Sequence, residues 1–301
     1  MEGIELKLLT ILKEGKELLG VKTSEGIVDI EGVLSSCPSE SIPTNVMEVI
    51  NGGQDVINEI NKYIEQLPSD SINYLNEEEI NWGPAVTEPN KIICVGLNYR
   101  RHADETNSPY PETPILFTKY NNSLTGHYQD IVVPSVTEKL DYEVELGIVI
   151  GKPVKNVSIK EALNNVFGYV TANDLSARDL QTVTSQWLLG KSCDDFCPIG
   201  PYLVTSDEVG DPNNLKLKTI VNGEIRQNSN TSDMIFHCDE IISYISKHMT
   251  LLPGDLILTG TPEGVILGDP EDKQVYLKPG DEVTVEIEKL GSLTNKFVSE
   301  D

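Results

Sequence analysis

Positively charged residues are scarce in this sequence. Its 301 residues include 23 Lys and Arg against 48 Asp and Glu, which gives a formal net charge of −25 at pH 7. This balance lacks the basic footprint that binds nucleic-acid phosphates or anionic lipid, so we expect neither a nucleic acid nor a membrane as a partner. A small anionic substrate stays compatible, because a local positive focus can hold it inside a repulsive overall field.

Cysteine is also sparse, and its spacing forms no metal-binding pattern. The five cysteines are scattered, there is no CxxC pair, and Cys193 and Cys197 lack a second pair or a nearby His. These spacings argue against a zinc site. The odd count favours reduced thiols and therefore predicts a cytoplasmic protein.

Long apolar runs are missing as well. Charged residues interrupt every short apolar run of the N-terminal stretch MEGIELKLLTILKEG. We therefore expect neither a signal peptide nor a membrane span there. The 39% hydrophobic content is still sufficient for a buried core without disulfides or a structural metal.

The pattern of the N-terminal part predicts a small α+β domain over residues 1–88. Residues 4–30 are typical of short strands, and an apolar stripe predicts a helix from Thr44, its expected cap, to about Gln66. The acidic, polar stretch 70–90 is interpreted as a linker. The remaining residues, 89–301, form the predicted main domain.

The main domain is predicted to be mostly β. From residue 115 onward short apolar runs alternate with Gly-Asp and Asn-Gly turns, and helices are expected at 159–166, after Asp174 and at 237–248. Strands do not alternate regularly with helices, so the fold class is mixed α+β rather than a parallel α/β fold.

Two glutamates on one predicted strand carry the first chemical signal. In DYEVELGIVIGK, Glu143 and Glu145 project from the same face, because side chains alternate along a strand. Asp174 follows another apolar strand, FGYVTAN, and could supply a third carboxylate. Three carboxylates suit Mg²⁺ or Mn²⁺. Spacing alone leaves open a solvated face on an edge strand.

The polar segment RRHADE carries the second signal. His102 and Glu105 are three positions apart, so on a helical turn they share a face, and a Glu-oriented His can take a proton from water. An ordinary structural or surface histidine is the alternative. The segment is flanked by Asn107-Ser108-Pro109 and by Pro111, and we interpret it as a lid. Similarly, LTGTPEGVILG is either a ligand-facing loop or a plain β-turn.

Several ordered motifs together resemble the fumarylacetoacetate hydrolase family. They are GLNYRRHADE, PILFTK, DYEVELGIVIGK, FGYVTANDLSARDLQ, GKS, VNGEIRQ, MIF, PGDLILTGTPEGV and PGDEVTVEIEKLG. The resemblance spans about residues 90–298 and is closest to short bacterial members with an extra N-terminal domain. It implies a mixed β-roll or β-sandwich catalytic domain, a homodimer, and one divalent cation, Mg²⁺ or Mn²⁺, per subunit.

The resemblance also implies roles for individual residues. The implied metal ligands are Glu143, Glu145 and Asp174. The implied catalytic residues are His102, Glu105 and Lys191, with the first two in the lid. The implied substrate-binding residues are Lys119, Arg178, Gln181 and Thr261. One departure is Arg101, which stands where Asp commonly precedes the lid histidine; an added cation there would favour a dianionic substrate or simply be solvated.

A 2-oxo acid bound through its carboxylate and keto oxygens would form a metal-stabilised enolate. Decarboxylation of an oxaloacetate-like acid is the favoured reaction. Hydrolysis of acylpyruvate or fumarylacetoacetate-like diketo acids, and isomerisation of the 2-hydroxyhepta-2,4-diene-1,7-dioate type, are alternatives. A scaffold protein on the same fold is a further alternative, which the intact carboxylate cluster and His–Glu pair disfavour.

Overall fold

The structure is a computed structural model that describes residues 6–68 and 71–300. Its strands are β1 Lys7–Lys13, β2 Lys16–Lys22, β3 Ile27–Asp29, β4 Tyr74–Leu75, β5 Ile92–Gly96, β6 Ile115–Lys119, β7 Leu124–Thr125, β8 Ile131–Val133, β9 Leu140–Asp141, β10 Val144–Ile150, β11 Val166–Asn173, β12 Ser176–Ala177, β13 Cys197–Thr205, β14 Lys216–Val221, β15 Glu224–Asn230, β16 Leu256–Leu258, β17 Glu282–Ile287 and β18 Gly291–Ser299.

The α-helices are shorter and fewer. They are α1 Ile30–Ser36, α2 Val46–Gln66, α3 Arg100–Glu105, α4 Ile159–Ala162, α5 Arg178–Gln181, α6 Leu188–Lys191, α7 Ser206–Val209 and α8 Cys238–His248. The predicted class, mixed α+β with a strand-rich main part, is confirmed.

An eleven-stranded sheet forms the centre of the fold, in the order β4-β3-β2-β1-β13-β11-β10-β16-β5-β6, with β7 paired to β13. A second sheet has the order β15-β14-β17-β18-β8, and β9 pairs with β12. Most pairs are antiparallel, whereas β16 and β5 run parallel. The strand that carries Glu145, β10, is therefore a central strand and not an edge strand.

Both faces of the large sheet are covered, which explains the continuous apolar runs in its central strands. Leu146 and Ile148 of β10 contribute to the core shared with the second sheet and α8. Val149 contributes to the opposite core, which α2 covers with Val49 and Ile60. Each such buried aliphatic side chain contributes about 1.5–3 kcal/mol by leaving water.

The N-terminal strands extend the same sheet, since β1 pairs with β13 through Lys7↔Val204 and Leu8↔Leu203. The domain boundary at residue 88 stays a prediction. The linker interpretation of 70–90 is wrong for the described residues, because β4 pairs with β3 and Trp82 is buried. Burial of that indole ties the segment to the core.

Helix α2 begins one residue later than predicted. Asn45, rather than Thr44, is its cap: the Asn45 side chain accepts a 2.9 Å hydrogen bond from the backbone N–H of Glu48. The Glu48 carboxylate in turn accepts from the N–H of Thr44 at 3.0 Å. Gly53, with φ of 64°, kinks the helix. Short helix α1 was not predicted.

Among residues 6–68 and 71–300, no helix combines the length and the apolar character needed to cross a membrane.

Candidate active site

Glu143, Glu145 and Asp174 meet at one buried point. Each offers a carboxylate oxygen, and these three oxygens lie within 4.8 Å of one another. The register of β10 and β11 brings them together: Val144 pairs with Asn173, and the N–H of Asp174 donates a 2.9 Å hydrogen bond to the carbonyl of Glu143. The solvated-face interpretation is wrong, because Glu145 is only 1% exposed.

Three cationic side chains surround two of these carboxylates. Lys191 Nζ lies 2.9 Å from Oε2 of Glu143 and 2.9 Å from Oδ2 of Asp174. Arg178 Nη2 lies 2.7 Å from Oε1 of Glu143, and Lys119 Nζ lies 2.5 Å from Oδ1 of Asp174. Burial would raise the pKa of Glu143, but the adjacent Lys191 and Arg178 outweigh it and lower that pKa to about 2.

Glu145 has a different environment. Its Oε2 accepts a 2.7 Å hydrogen bond from the N–H of Gly260. Its pKa is raised well above the ordinary value, first by burial and then by the negative charges of Asp174 and Glu143. A dication among the three carboxylates would offset that repulsion, and their oxygens are the ligands that Mg²⁺ and Mn²⁺ prefer. The residues present therefore fit a divalent metal.

The His102–Glu105 pair is formed on the short helix α3. His102 Nδ1 lies 3.2 Å from Oε2 of Glu105, and Oε1 of Glu105 accepts a 2.9 Å hydrogen bond from the N–H of Gly264. The helix is anchored at its start, where the N–H of Arg101 donates to the Asp233 carboxylate at 3.1 Å. His102 is 9% exposed, so the surface-histidine interpretation is wrong.

A cavity of about 240 Å³ joins the His–Glu pair to the carboxylates. Its polar lining residues include His102, Glu143, Glu145, Arg178, Gln181, Lys191 and Thr261. Its apolar lining residues include Val95, Leu97, Ile115, Phe117, Trp187 and Leu267. Asp174 and Glu105 are not among the lining residues but contact Lys191 and His102 respectively.

A family model and a curated relative both place the chain in one protein family. The family model described as the C-terminal part of fumarylacetoacetate (FAA) hydrolase matches residues 91–298. The chain belongs to the fumarylacetoacetate hydrolase family. The mitochondrial oxaloacetate tautomerase FAHD2A of Bos taurus is 41% identical over 285 residues, which cover 93% of this chain and 87% of that protein. The similarity thus extends beyond the main domain into the N-terminal segment.

Two solved structures share the whole architecture. Fumarylacetoacetate hydrolase from Exiguobacterium antarcticum superposes with a TM-score of 0.82 at 34% identity, covering 98% of this chain and 100% of that one. 2-Hydroxyhepta-2,4-diene-1,7-dioate isomerase from Mycobacterium marinum gives a TM-score of 0.73 at 31% identity, with 98% and 99% covered. The resemblance inferred from the sequence motifs is confirmed, and the shared fold includes the N-terminal strands.

Of the other residues predicted from the family pattern, all but Lys119 line the cavity. Arg178, Gln181, Lys191 and Thr261 line the cavity. Thr261 Oγ1 accepts a 2.9 Å hydrogen bond from Nε2 of Gln227, so its own proton is available to a ligand. Lys119 does not line it; its contacts are with Asp174 and the carbonyl of Leu175. A substrate role for Lys119 stays a prediction.

Arg101 also lies away from the cavity of this family member. Its guanidinium is largely exposed and lies 3.3 Å from the carboxylate of Glu263. Arg101 was expected either to favour a dianionic substrate or simply to be solvated, and the structure shows a largely exposed side chain.

Asp141 and Trp187 are the main residues that sequence reasoning missed. Asp141 extends the alternation of Glu143 and Glu145 by one step, D-x-E-x-E, so the same period-two signal could have found it. Trp187 lies in an irregular segment before α6 and packs edge-on against Phe117, with ring centroids 5.2 Å apart. No local pattern indicated that this tryptophan lines the cavity.

Proposed function

We propose that the chain is a divalent-metal-dependent enzyme that interconverts the enol and keto forms of a small 2-oxo dicarboxylate of the oxaloacetate type. The observation that carries this proposal is that His102 lines the same small cavity as Glu143 and Glu145, two members of the carboxylate cluster. A metal-ligating cluster and a proton-transfer group in contact with one ligand suffice for tautomerisation.

The protein's own residues supply the proton transfer. Because Nδ1 of His102 faces Glu105, Nε2 is the nitrogen left to move the proton between the enol oxygen and the neighbouring carbon, taking it from one and giving it to the other. Glu105 keeps the ring oriented, and Gly264 keeps Glu105 in place. Mg²⁺ or Mn²⁺ held by Glu143, Glu145 and Asp174 would supply Lewis-acid stabilisation of negative charge on the 2-oxo oxygen.

The remaining polar lining residues orient the acid. The Thr261 hydroxyl can donate to a carboxylate oxygen, while Lys191 and Arg178 lower the negative potential created by the carboxylates. A cavity of about 240 Å³ is smaller than the roughly 300–1,000 Å³ of typical ligand pockets, which favours a short substrate. The name of the bovine relative, an oxaloacetate tautomerase, supports both the substrate and the reaction.

Tautomerisation requires fewer steps than decarboxylation, the reaction favoured by sequence alone, or than hydrolysis, one of its alternatives. Decarboxylation must also break a carbon–carbon bond, and hydrolysis must also position a water beside a second carbonyl. Both remain alternative outcomes, since each would start from the same charge on the 2-oxo oxygen.

The decisive experiment follows the loss of ultraviolet absorbance as enol-oxaloacetate converts to the keto form, with and without Mg²⁺ or Mn²⁺. Pyruvate is quantified in the same samples. We expect metal-dependent, EDTA-sensitive ketonisation that outpaces any pyruvate formation. Pyruvate formation that keeps pace with substrate loss would instead establish decarboxylation, and turnover of acylpyruvates alone would establish hydrolysis.

Two histidine variants test the assigned roles. His102→Gln should lower the rate by roughly 10²–10⁴-fold, the usual contribution of a positioned acid or base, while Mn²⁺ still binds. His248→Gln is the matched control, since His248 ends helix α8 and is not among the cavity-lining residues. Loss of Mn²⁺ binding in His102→Gln would contradict a proton-transfer role.

We also propose the homodimer that the family resemblance implies. Exposed apolar side chains at and near the edge strand β6, among them Ile115, Tyr120 and Leu189, support a contact between two copies. Light scattering coupled to size-exclusion chromatography should give twice the 33.2 kDa chain mass, and a monomeric mass would contradict it.

A further inference from the structure

Asp141 is a fully buried carboxylate that accepts hydrogen bonds from two separate parts of the site. Its Oδ1 accepts from the backbone N–H groups of Tyr142 and Ile266, each at 2.9 Å. Its Oδ2 accepts from the N–H of Leu267 at 3.1 Å and lies 2.9 Å from both Nε and Nη2 of Arg178. Four hydrogen-bond donors and the ion-pair contact of Arg178 Nη2 converge on one side chain with no exposed surface.

One group of donors belongs to the loop that holds the lid glutamate. Ile266 and Leu267 follow Gly264, whose N–H donates to Glu105 at 2.9 Å. The same loop is also held by Tyr142, whose hydroxyl donates to the carbonyl of Gly264 at 3.0 Å. The position of this loop therefore determines where Glu105, and with it the ring of His102, is fixed.

The other donor belongs to the metal side of the site. Arg178 contacts Asp141 through Nε and Nη2, and the same Nη2 lies 2.7 Å from Oε1 of Glu143. Asp141 thus fixes the guanidinium plane that in turn orients the first carboxylate of the cluster. A guanidinium has a rigid planar fork, so fixing one edge fixes the other.

We propose that Asp141 is a positioning residue. It fixes the 264–267 loop, which holds the His102–Glu105 pair, relative to the Glu143 carboxylate. It does not line the cavity, so it acts through its neighbours rather than on the substrate. Groups of this kind behind metal ligands typically contribute 10–100-fold in metal affinity or activity. Only the catalytic readout below rests on the proposed function; the metal and exchange readouts do not.

Three variants separate this role from ordinary structural support. Asp141→Asn keeps the side-chain size but replaces one acceptor by an N–H donor that faces other donors. Tyr142→Phe removes a hydroxyl contact to the loop and leaves the contacts of Arg178 unchanged. Asp255→Asn is the matched control, because Asp255 is equally buried and paired with Lys91 at 2.7 Å, outside the cavity wall.

The measurements are Mn²⁺ affinity by electron paramagnetic resonance, hydrogen exchange of residues 264–267, and the split between kcat and KM. For Asp141→Asn we expect about 10–100-fold weaker Mn²⁺ binding and faster exchange of the Gly264, Ile266 and Leu267 amides. Tyr142→Phe should accelerate exchange of the loop while Mn²⁺ affinity stays at the wild-type value. If the proposed function is correct, both variants lower kcat more than they raise KM.

Specific results would overturn the proposal. Wild-type Mn²⁺ affinity and wild-type exchange in a folded Asp141→Asn would show that the carboxylate positions neither part. Equal losses in Asp255→Asn would reduce the effect to general destabilisation. If Asp141→Asn does not fold, Tyr142→Phe still decides the loop half: unchanged loop exchange together with unchanged kcat would contradict it. Absence of turnover in the wild type would instead refute the proposed function and leave the metal and exchange results valid.

Discussion

Gly268 lies directly against the carboxyl group of Glu105, with no room for a side chain between them. A Cβ added to Gly268 would lie 2.2 Å from Cδ of Glu105, far inside van der Waals contact. The glycine is thus part of the packing that holds Glu105 beside His102, although 163 positions separate Gly268 and Glu105 in the chain.

Gly268→Ala should therefore disconnect the His–Glu pair. The new methyl group would push the Glu105 carboxylate away from His102 and from the N–H of Gly264. We expect a fall in kcat of about 10–100-fold, comparable with the loss of a group that orients a catalytic residue, with Mn²⁺ affinity retained. Steady-state kinetics and Mn²⁺ titration test this; a variant with full kcat would show that the docked position of Glu105 is unnecessary.

Glu145→Gln should remove a pH-dependent loss of stability from the metal-free fold and should also reduce the stabilisation that metal provides. Because the pKa of Glu145 is raised in the metal-free fold, that fold keeps a proton that the unfolded chain releases above about pH 4.5, so its stability falls as the pH rises beyond that value. The glutamine variant should lack this loss and melt at the same or higher temperature without metal.

With metal bound, the wild type should be more stable than the Glu145→Gln variant. Saturation at about 100 times Kd stabilises a binding-competent fold by about 2.7 kcal/mol, and Glu145→Gln should lose most of that gain. Melting curves with EDTA and with Mn²⁺ at pH 5 and pH 8 measure both effects. An equal Mn²⁺-induced shift in the variant would remove Glu145 from the ligand set.

Thr261→Val should weaken substrate binding. The hydroxyl accepts from Gln227, and its proton is free to donate to a substrate carboxylate. A hydrogen bond to a charged group contributes about 1.5–3 kcal/mol, so KM should rise about 10–100-fold. Thr261→Ser keeps the hydroxyl and is the control. Equal KM values for the two variants would show that the hydroxyl does not contact the substrate.

His127 should make stability depend on pH for reasons unrelated to catalysis. It is buried against Trp82, its Nδ1 accepts from the N–H of Thr294 at 2.9 Å, and burial lowers its pKa to about 4. Since the unfolded histidine titrates near 6.5, its contribution is complete above pH 6.5 and is lost progressively as the pH falls to about 4, by about 3 kcal/mol.

Denaturant unfolding between pH 4 and pH 7.5 measures this dependence, and subtraction of the His127→Gln profile isolates it from the titration of carboxylates. A difference that stays constant across this range would show that His127 is not a buried neutral histidine in solution.

Local patterns predicted those parts of the site that depend on neighbouring residues. Strand alternation placed Glu143 and Glu145 on one face, and helical spacing paired His102 with Glu105, because both periodicities are set by the backbone within a few residues. The ordered motifs then identified the family, and the family pattern predicts that Asp174 is the third metal ligand. The predicted cap of helix α2 was wrong by one residue, because Thr44 and Asn45 are adjacent and either side chain can cap a helix.

The tertiary structure decided which residues far apart in the sequence come into contact. Pairing of Val144 with Asn173 brings Asp174 beside Glu143, and pairing with β11 on one side and β16 on the other makes β10 a central strand rather than an edge. The contacts of Asp141 and Glu105 with the 264–268 loop span more than 120 positions. Such contacts depend on sheet register and on packing between distant segments, whereas the sequence by itself determined the fold class, the family and the chemical identity of the groups that meet there.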